Sequence, residues 1–507
     1  MHFILQFTIS KIITKLGEAC IDIIECGFLI TGESDKNKSL FDSVESISKS
    51  LIEKRENTIY VAMIAYGDIS IQEISSRNEN SIDGIRITFH ENEIDEAIEF
   101  GNGLMSKGYL VFMQPVGTAF YTDTELINLV IRINQMQPYA FYLVDTLGTM
   151  YKNDILRLFY LVDHNLKKDI AIGYHSHNNL QLAFSNAQEL TEIHTNRHII
   201  LDSSVFGMGR GAGNLASELI TRFINDNIEY KYDVIPLIEI VDEHLGNIFS
   251  NTSWGYSVPY YVASTNYCHP NYASYLMDKQ TLSVKSINTI LQKLPENTRH
   301  LYNSELAEDL YKKFQNTCIE DAYTLSYVKE KINSKKIVVI APGKSLESNY
   351  EKINAFIEED DSFVISTNFI PDKIKCDLLF ISNNKRFKQI GNLDKLHNTI
   401  EVVSSSNIYN PNGLQVNYSD LINLSSTESD NAGIMCLKML KKIGVKEIHL
   451  AGFDGFEVDN KENYIDKLIL NVSEESLRLK NEEIKSQIQV LKNSLQINFI
   501  TKSKYQS

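Results

Sequence analysis

DIAIGYHSH (169–177) decides the reading of the first half of the chain: a short β-branched and aromatic run that closes on two histidines two residues apart. Side chains alternate along a strand, so His175 and His177 point to the same side. Working outward, similar runs recur at IDIIECG (21–27), TIYVAMIAY (58–66), DGIRITF (83–89), YLVFMQPV (109–116), AFYLVDT (140–146) and HIILDSSV (198–205). Polar, helix-like stretches such as TDTELINLVIRINQMQ separate them, and strands alternating with helices imply parallel pairing through crossover helices. These runs leave a (β/α)8 TIM barrel of roughly 250 residues one strand short. HFILQF (2–7) is the remaining candidate, and it runs straight into the helix ISKIITKLGEA. The first strand is therefore expected to be short, or its proper sequence to be missing from a truncated start.

Residues 285–330 read as helices without strands. A second alternation begins at KKIVVIAPGKSL (335–346) and continues through SFVISTNF, CDLLFISN, TIEVVSSS and KEIHLAGFDGF (446–456), the pattern of a Rossmann-like doubly wound domain. The predicted division is a barrel over 1–284, a helical extension or linker over 285–332 and an α/β domain over 333–507. APGKSL follows a strand and precedes a helix, so Gly343, Lys344 and Ser345 are expected to offer amides and a charge to a phosphate, without the spacing of a Walker A loop. The closing Glu- and Lys-rich helix (473–494) reads as a solvated amphipathic face.

With 43% apolar and 22% charged residues in 507, the chain has globular composition. A formal charge of −16 with no clustered basic stripe excludes broad nucleic-acid binding. The cysteines (Cys20, Cys26, Cys268, Cys318, Cys376 and Cys436) show no CxxC or zinc-ribbon spacing, which fits a reducing cytoplasm. The apolar start lacks a basic n-region and is broken by Ser10, Lys11 and Lys15, so neither a signal peptide nor a membrane span is expected.

Active sites of parallel barrels form at the C-terminal ends of the strands, where His175 and His177 fall. Two imidazoles on one side suit a divalent metal with a third protein ligand and open positions for substrate; the competing reading is a pair of satisfied polar residues. GMGRGAGN places Gly209, Gly211 and Gly213 after the last strand, where backbone amides can approach an anionic oxygen, or where they only build a tight turn. Glu25 ends one strand, and Arg86 and His90 flank another. Arg86 either offsets negative charge in a reacting group or pairs with Glu25.

YHSHNNLQLAFSNA, VDTLGTM (144–150) and VFGMGRGAGNLASE (205–218) lie on consecutive strand ends. Together they resemble the metallolyase barrel family that includes 4-hydroxy-2-oxovalerate aldolase, hydroxymethylglutaryl-CoA lyase and the isopropylmalate and citramalate synthases, also described as the pyruvate carboxyltransferase domain. The resemblance covers roughly the first 280 residues. It implies that His175, His177 and Asn214 bind Mn²⁺ or Mg²⁺, and that a small 2-oxo acid is cleaved, or built in reverse, through an enolate. It further implies Tyr272 as proton donor and His269 as base, both within the aromatic segment 254–276, although packing of those aromatics against the barrel mouth explains the segment equally well. The family's Arg-Asp pair at the end of its first strand has no counterpart in MHFILQFTIS. Without that arginine an enolate loses a preorganised charge of several kcal/mol in the transition state.

Residues 335–456 resemble, loosely, Rossmann-like domains of sialyltransferases and related surface-glycan enzymes. That likeness implies a nucleotide sugar as ligand of the second domain. The leading expectation is a divalent-metal C–C lyase or aldolase acting on a 2-oxo acid, in surface-polysaccharide precursor metabolism and able to dimerise through its outer faces. The alternative is a catalytically degenerate barrel joined to a nucleotide-sugar-binding or glycosyltransferase-like domain; an acyl-CoA condensing synthase is a third reading.

Overall fold

The computed structural model describes the chain except residues 1, 35–38, 50, 52–53, 252–253, 280, 317–318, 391–399, 411–412, 424–429, 457–473 and 507. Cys318 and the first residue of the predicted closing helix lie outside the described residues; the other cysteines are free thiols. Two compact units emerge: residues 1–274 with 295–302, and residues 275–294 with 303–507. Among the described residues no helix is long and apolar enough to cross a membrane.

The first unit holds β1 (Ile23–Leu29), β2 (Leu40–Phe41), β3 (Ile59–Ala65), β4 (Gly84–Phe89), β5 (Leu110–Pro115), β6 (Ala140–Asp145), β7 (Ala171–Ser176) and β8 (Ile199–Leu201). They form one parallel sheet in the order β2-β1-β3-β4-β5-β6-β7-β8, the architecture of a TIM barrel. Each run quoted above supplies one strand, and β2 is the strand not foreseen.

HFILQF is not a strand. It opens a helix, His2–Glu18, whose apolar residues Ile9, Ile12, Ile13 and Leu16 fall at helical spacing. Ile12 and Leu16 pack with Leu237 and Ile240 of the helix Ile235–Ile240. Lys15 of the same helix bonds Glu239 at 2.6 Å. The place beside β1 is taken instead by β2, through Phe28↔Leu40 and Leu29↔Phe41. Gly27 permits this, because a Cβ there would lie 2.4 Å from the Ser39 carbonyl and the backbone turns at φ +147°. The register of β1 on β3 shifts between Glu25 and Phe28 at the same point.

Alternation sorts the barrel residues. Ile24, Ile85, Val111, Phe141 and Ile172 belong to the main core cluster, which also holds Ala97, Leu126 and Ile155 of the surrounding helices. Val61, Phe112, Ala140, Tyr142 and Ala171, with Ile23 and Ile200, form a second apolar cluster on the opposite strand faces. Two positions beyond Ile23, Phe112 and Ile200 the same rows reach Glu25, Gln114 and Asp202, while Arg86 follows Gly84 on β4 and His175 follows Gly173 on β7. A charged layer thus sits above an apolar plug, on the side where the strands end.

The second unit holds β9 (Lys336–Ile340), β10 (Ser362–Thr367), β11 (Leu378–Ile381), β12 (Glu401–Ser405), β13 (Leu414–Val416), β14 (Glu447–Ala451) and β15 (Gln496–Phe499), all parallel, in the order β13-β12-β11-β10-β9-β14-β15. Strand order reverses between β9 and β14, a topological switch point compatible with the expected Rossmann-like, doubly wound domain. The short β13 and the terminal β15 were not anticipated.

Candidate active site at the barrel mouth

Arg86 on β4 is the hub of the charged layer. Its Nη1 donates to Glu25 at 2.5 Å, its Nη2 donates to Asp202, and the Gln114 amide, turned with its oxygen inward, accepts from Nε at 2.7 Å. Its guanidinium lies 5.3 Å from the centre of the Tyr142 ring. Gly173 on β7 leaves room for that ring, since a Cβ there would lie 2.4 Å from it. Burial raises the Glu25 carboxyl above its ordinary range despite Arg86. For Asp202, burial pushes upward, but the Arg86 guanidinium and the His175 ring outweigh it and hold the group low. Arg86, expected either to offset negative charge or to pair with Glu25, is paired with two carboxylates.

Asp202 also accepts from His175 Nδ1 at 2.9 Å, which leaves His175 Nε2 as the free ring nitrogen. The His175 and His177 rings lie 5.5 Å apart at 83°. His177 and Asn214 face each other in an isolated antiparallel bridge. Among the described residues, His177 Nδ1 and Asn214 Oδ1 are both buried and without a hydrogen-bond partner. Such atoms cost free energy unless something pairs with them. Burial first, and then the neighbouring His175, Arg210 and His269, hold the His177 ring well below the ordinary histidine range, so it is neutral at pH 7.

Asp145, at the end of β6, accepts from the Thr149 and Met150 amides at 2.8 and 3.0 Å. Burial nonetheless raises its carboxyl to about 6. Its backbone carbonyl accepts from the His177 N–H at 3.2 Å, which fixes the chain where the histidines emerge.

The Gly-rich segment is held by polar pairing: Asn178 N–H donates to the Gly213 carbonyl at 2.8 Å, and Ala212 N–H to the Asn179 side chain at 3.0 Å. Gly209 lies against the Asn214 amide, so a Cβ there would stand 2.7 Å from Nδ2. The Gly213 amide closes a turn onto the Arg210 carbonyl at 3.1 Å and is not free for a ligand, contrary to expectation; those of Gly209 and Gly211 have no partner among the described residues.

His269 is 8% exposed and accepts from the Asn271 amide through Nδ1. Burial, then Arg210, pushes its ring down to about 3, which makes it a weak base at neutral pH. Tyr272 is 1% exposed, and its hydroxyl donates to the Thr298 and Leu301 carbonyls, both at 3.0 Å. The expected proton donor is thus a buried clamp on the 295–302 segment. Asp202, Gln114 and Arg210 escaped the sequence reading; the signal for the first two was the inward period, Ile200 to Asp202 and Phe112 to Gln114.

In the second unit the APGKSL loop is already occupied. Asp454 accepts from Ser345 N–H at 2.6 Å and from Ser345 Oγ at 2.5 Å, at the start of the helix Ser345–Glu358. A Cβ on Gly343 would lie 2.2 Å from the Gly452 carbonyl. The expected phosphate cradle is closed by the chain's own carboxylate.

Residues 6–242 match the HMGL-like family, so the N-terminal half carries an HMGL-like domain. A 4-hydroxy-2-oxovalerate aldolase of Pseudoalteromonas translucida (strain TAC 125) is 23% identical over 241 residues, covering 46% of this chain and 68% of that protein. An oxaloacetate decarboxylase of Mycobacterium tuberculosis (strain ATCC 25618 / H37Rv) is 30% identical over 139 residues, 27% of this chain and 40% of that protein. Among solved structures, the HMG-CoA lyase from Brucella melitensis aligns with a TM-score of 0.39 at 14% identity over 46% of this chain and 88% of that one.

Proposed function

We propose that the barrel is a divalent-metal C–C lyase or aldolase acting on a 2-oxo acid, with Mn²⁺ or Mg²⁺ held by His175, His177 and Asn214. The observation that carries this reading is the pair of buried, partnerless atoms, His177 Nδ1 and Asn214 Oδ1, beside the free nitrogen of His175. No group of three or more His, Cys, Asp or Glu is arranged for a metal among the described residues, so this donor set depends on an amide oxygen. The fit is chemical: imidazole nitrogens and an amide oxygen suit such an ion, and Asp202 orients His175 as a carboxylate behind a ligating imidazole does.

When bound, the ion would supply Lewis-acid polarisation of the substrate keto group. The protein's own part is positional. Asp202 keeps the His175 proton on Nδ1, and Arg86 keeps Asp202 ionised. Asp145, on the same row of β6 as the core residues Phe141 and Leu143, caps the Thr149 and Met150 amides and holds the chain where His177 emerges. With its ring at about 3, His269 is poorly suited to taking a proton from a substrate at neutral pH.

The relatives' printed names, 4-hydroxy-2-oxovalerate aldolase and oxaloacetate decarboxylase, both describe chemistry at the bonds of an oxo acid and support this class. The degenerate-barrel alternative has one observation in its favour: Arg86 is paired with Glu25 and Asp202 and offers no free charge to an enolate. A nucleotide-sugar role for the second unit rests on its switch-point topology, with the Asp454-filled loop against it.

The test is metal content of the purified protein against the His175→Ala/His177→Ala variant, with deuterium exchange into pyruvate followed by NMR. One divalent ion per chain and exchange, both lost in the variant, are expected. Equal metal content in the two proteins would remove the reading.

A further inference from the structure

One cation at the barrel mouth is not engaged by the network below it. Arg86 is tied to Glu25 and Asp202, and Arg197, the other buried arginine of this unit, to Asp163 at 2.7 Å. Arg210, between Gly209 and Gly211, is solvent-exposed, and its guanidinium makes no ion pair or hydrogen bond among the described residues. The backbone N–H groups of residues 209, 210 and 211 also have no partner there.

The segment is nevertheless held in place. The Arg210 carbonyl accepts from Gly213 at 3.1 Å, and the Gly211 carbonyl from Gly255 at 3.3 Å. Gly209 abuts the Asn214 amide, and a Cβ on Gly211, whose φ is +67°, would meet Pro270, the residue after His269, at 3.3 Å. Arg210 therefore stands between the proposed ion site and the His269–Pro270 turn. Consecutive unengaged amides around a left-handed glycine, with a guanidinium among them, suit a carboxylate or phosphate.

Under the proposed reading, on which this inference rests, the 2-oxo carboxylate and keto oxygen lie at the ion. The rim cation is then left for another anion. We infer that Arg210, with the amides of residues 209–211, binds a second anionic group at the far end of the substrate, so that the site selects dianionic 2-oxo acids. Arg210 is a specificity-determining residue, and the shared chemistry is a terminal carboxylate or phosphate.

The test uses the full chain in Mn²⁺ buffer, titrated calorimetrically with oxalate, with 2-oxoglutarate and with a 2-oxo acid ending in a phosphonate. Arg210→Gln is expected to weaken the dianions by about 10- to 100-fold and leave oxalate unchanged, with an unaltered melting temperature. Arg210→Lys, which keeps the charge and loses the planar fork, should fall between. The dianion that loses more identifies the terminal group. Unchanged binding of both dianions by Arg210→Gln would overturn the inference and leave the ion reading standing. Equal loss of oxalate would also overturn it, since Arg210 would then hold the 2-oxo carboxylate. Oxalate binding no tighter with Mn²⁺ than without would remove the ion reading and this inference together.

Discussion

Both units end a parallel sheet in a polar, glycine-containing loop, and there the likeness stops. After β7 and β8 of the barrel, an imidazole nitrogen and an amide oxygen are buried without partners among the described residues, and the amides around Arg210 are unengaged there too. After β9 and β14 the equivalent loops satisfy each other, with the Asp454 carboxylate on Ser345 and Gly343 against the Gly452 carbonyl. A polar loop at a strand end can take a ligand only where the fold leaves its groups unpaired. HSHNN and APGKS look equally inviting as sequences, and the difference lies in what stands opposite each.

The largest effect is expected at Arg86. Arg86→Met leaves Glu25 and Asp202 facing each other without their cation, and breaking a buried pair in this way costs about 3–5 kcal/mol. Urea denaturation measures it, and a loss below about 1 kcal/mol would mean that the charged layer adds little to the barrel.

Next is the pH dependence of His269, whose folded value of about 3 lies below its ordinary 6.5. A depressed histidine contributes stability that is fully present above about 6.5 and is lost as pH falls toward 3. Between pH 7.5 and 5 the wild type should lose about 2 kcal/mol from this group, and His269→Gln should flatten that slope. Parallel pH profiles for the two proteins would show that the ring is free to protonate in place.

The smallest effect is expected at the closed loop. Asp454→Ala removes the acceptor at the N-terminus of the helix Ser345–Glu358 and should cost about 1–2 kcal/mol in the second unit. Inorganic phosphate is expected to bind neither wild type nor variant in calorimetry. Saturable phosphate binding by Asp454→Ala would make the two strand ends alike after all.

Much of the barrel was legible because its signals are local. Each inner strand face repeats every second residue, and the histidines two apart, one near the end of β7 and one just past it, needed only that period to share a side. The same rule, applied to the inward rows, would have reached Asp202 and Gln114. HFILQF misled because a short apolar run is equally a strand or the start of a helix, and the helical spacing that continues from Ile9 to Leu16 settles it. Tyr272 misled because an aromatic near a mouth shows nothing in sequence of the carbonyls its hydroxyl meets, 26 and 29 residues on.

By itself the sequence determined the alternation of strand and helix, the parallel class of both sheets and the position of the paired histidines, since each follows from residues within one or two turns of one another. Tertiary structure alone decided which polar groups are paired. Arg86 meets Asp202 across 116 residues, Asp454 meets Ser345 across 109, and His177 Nδ1 has no hydrogen-bond partner among the described residues. Pairing at that separation is set by strand order and burial, which bring groups together that no local period relates.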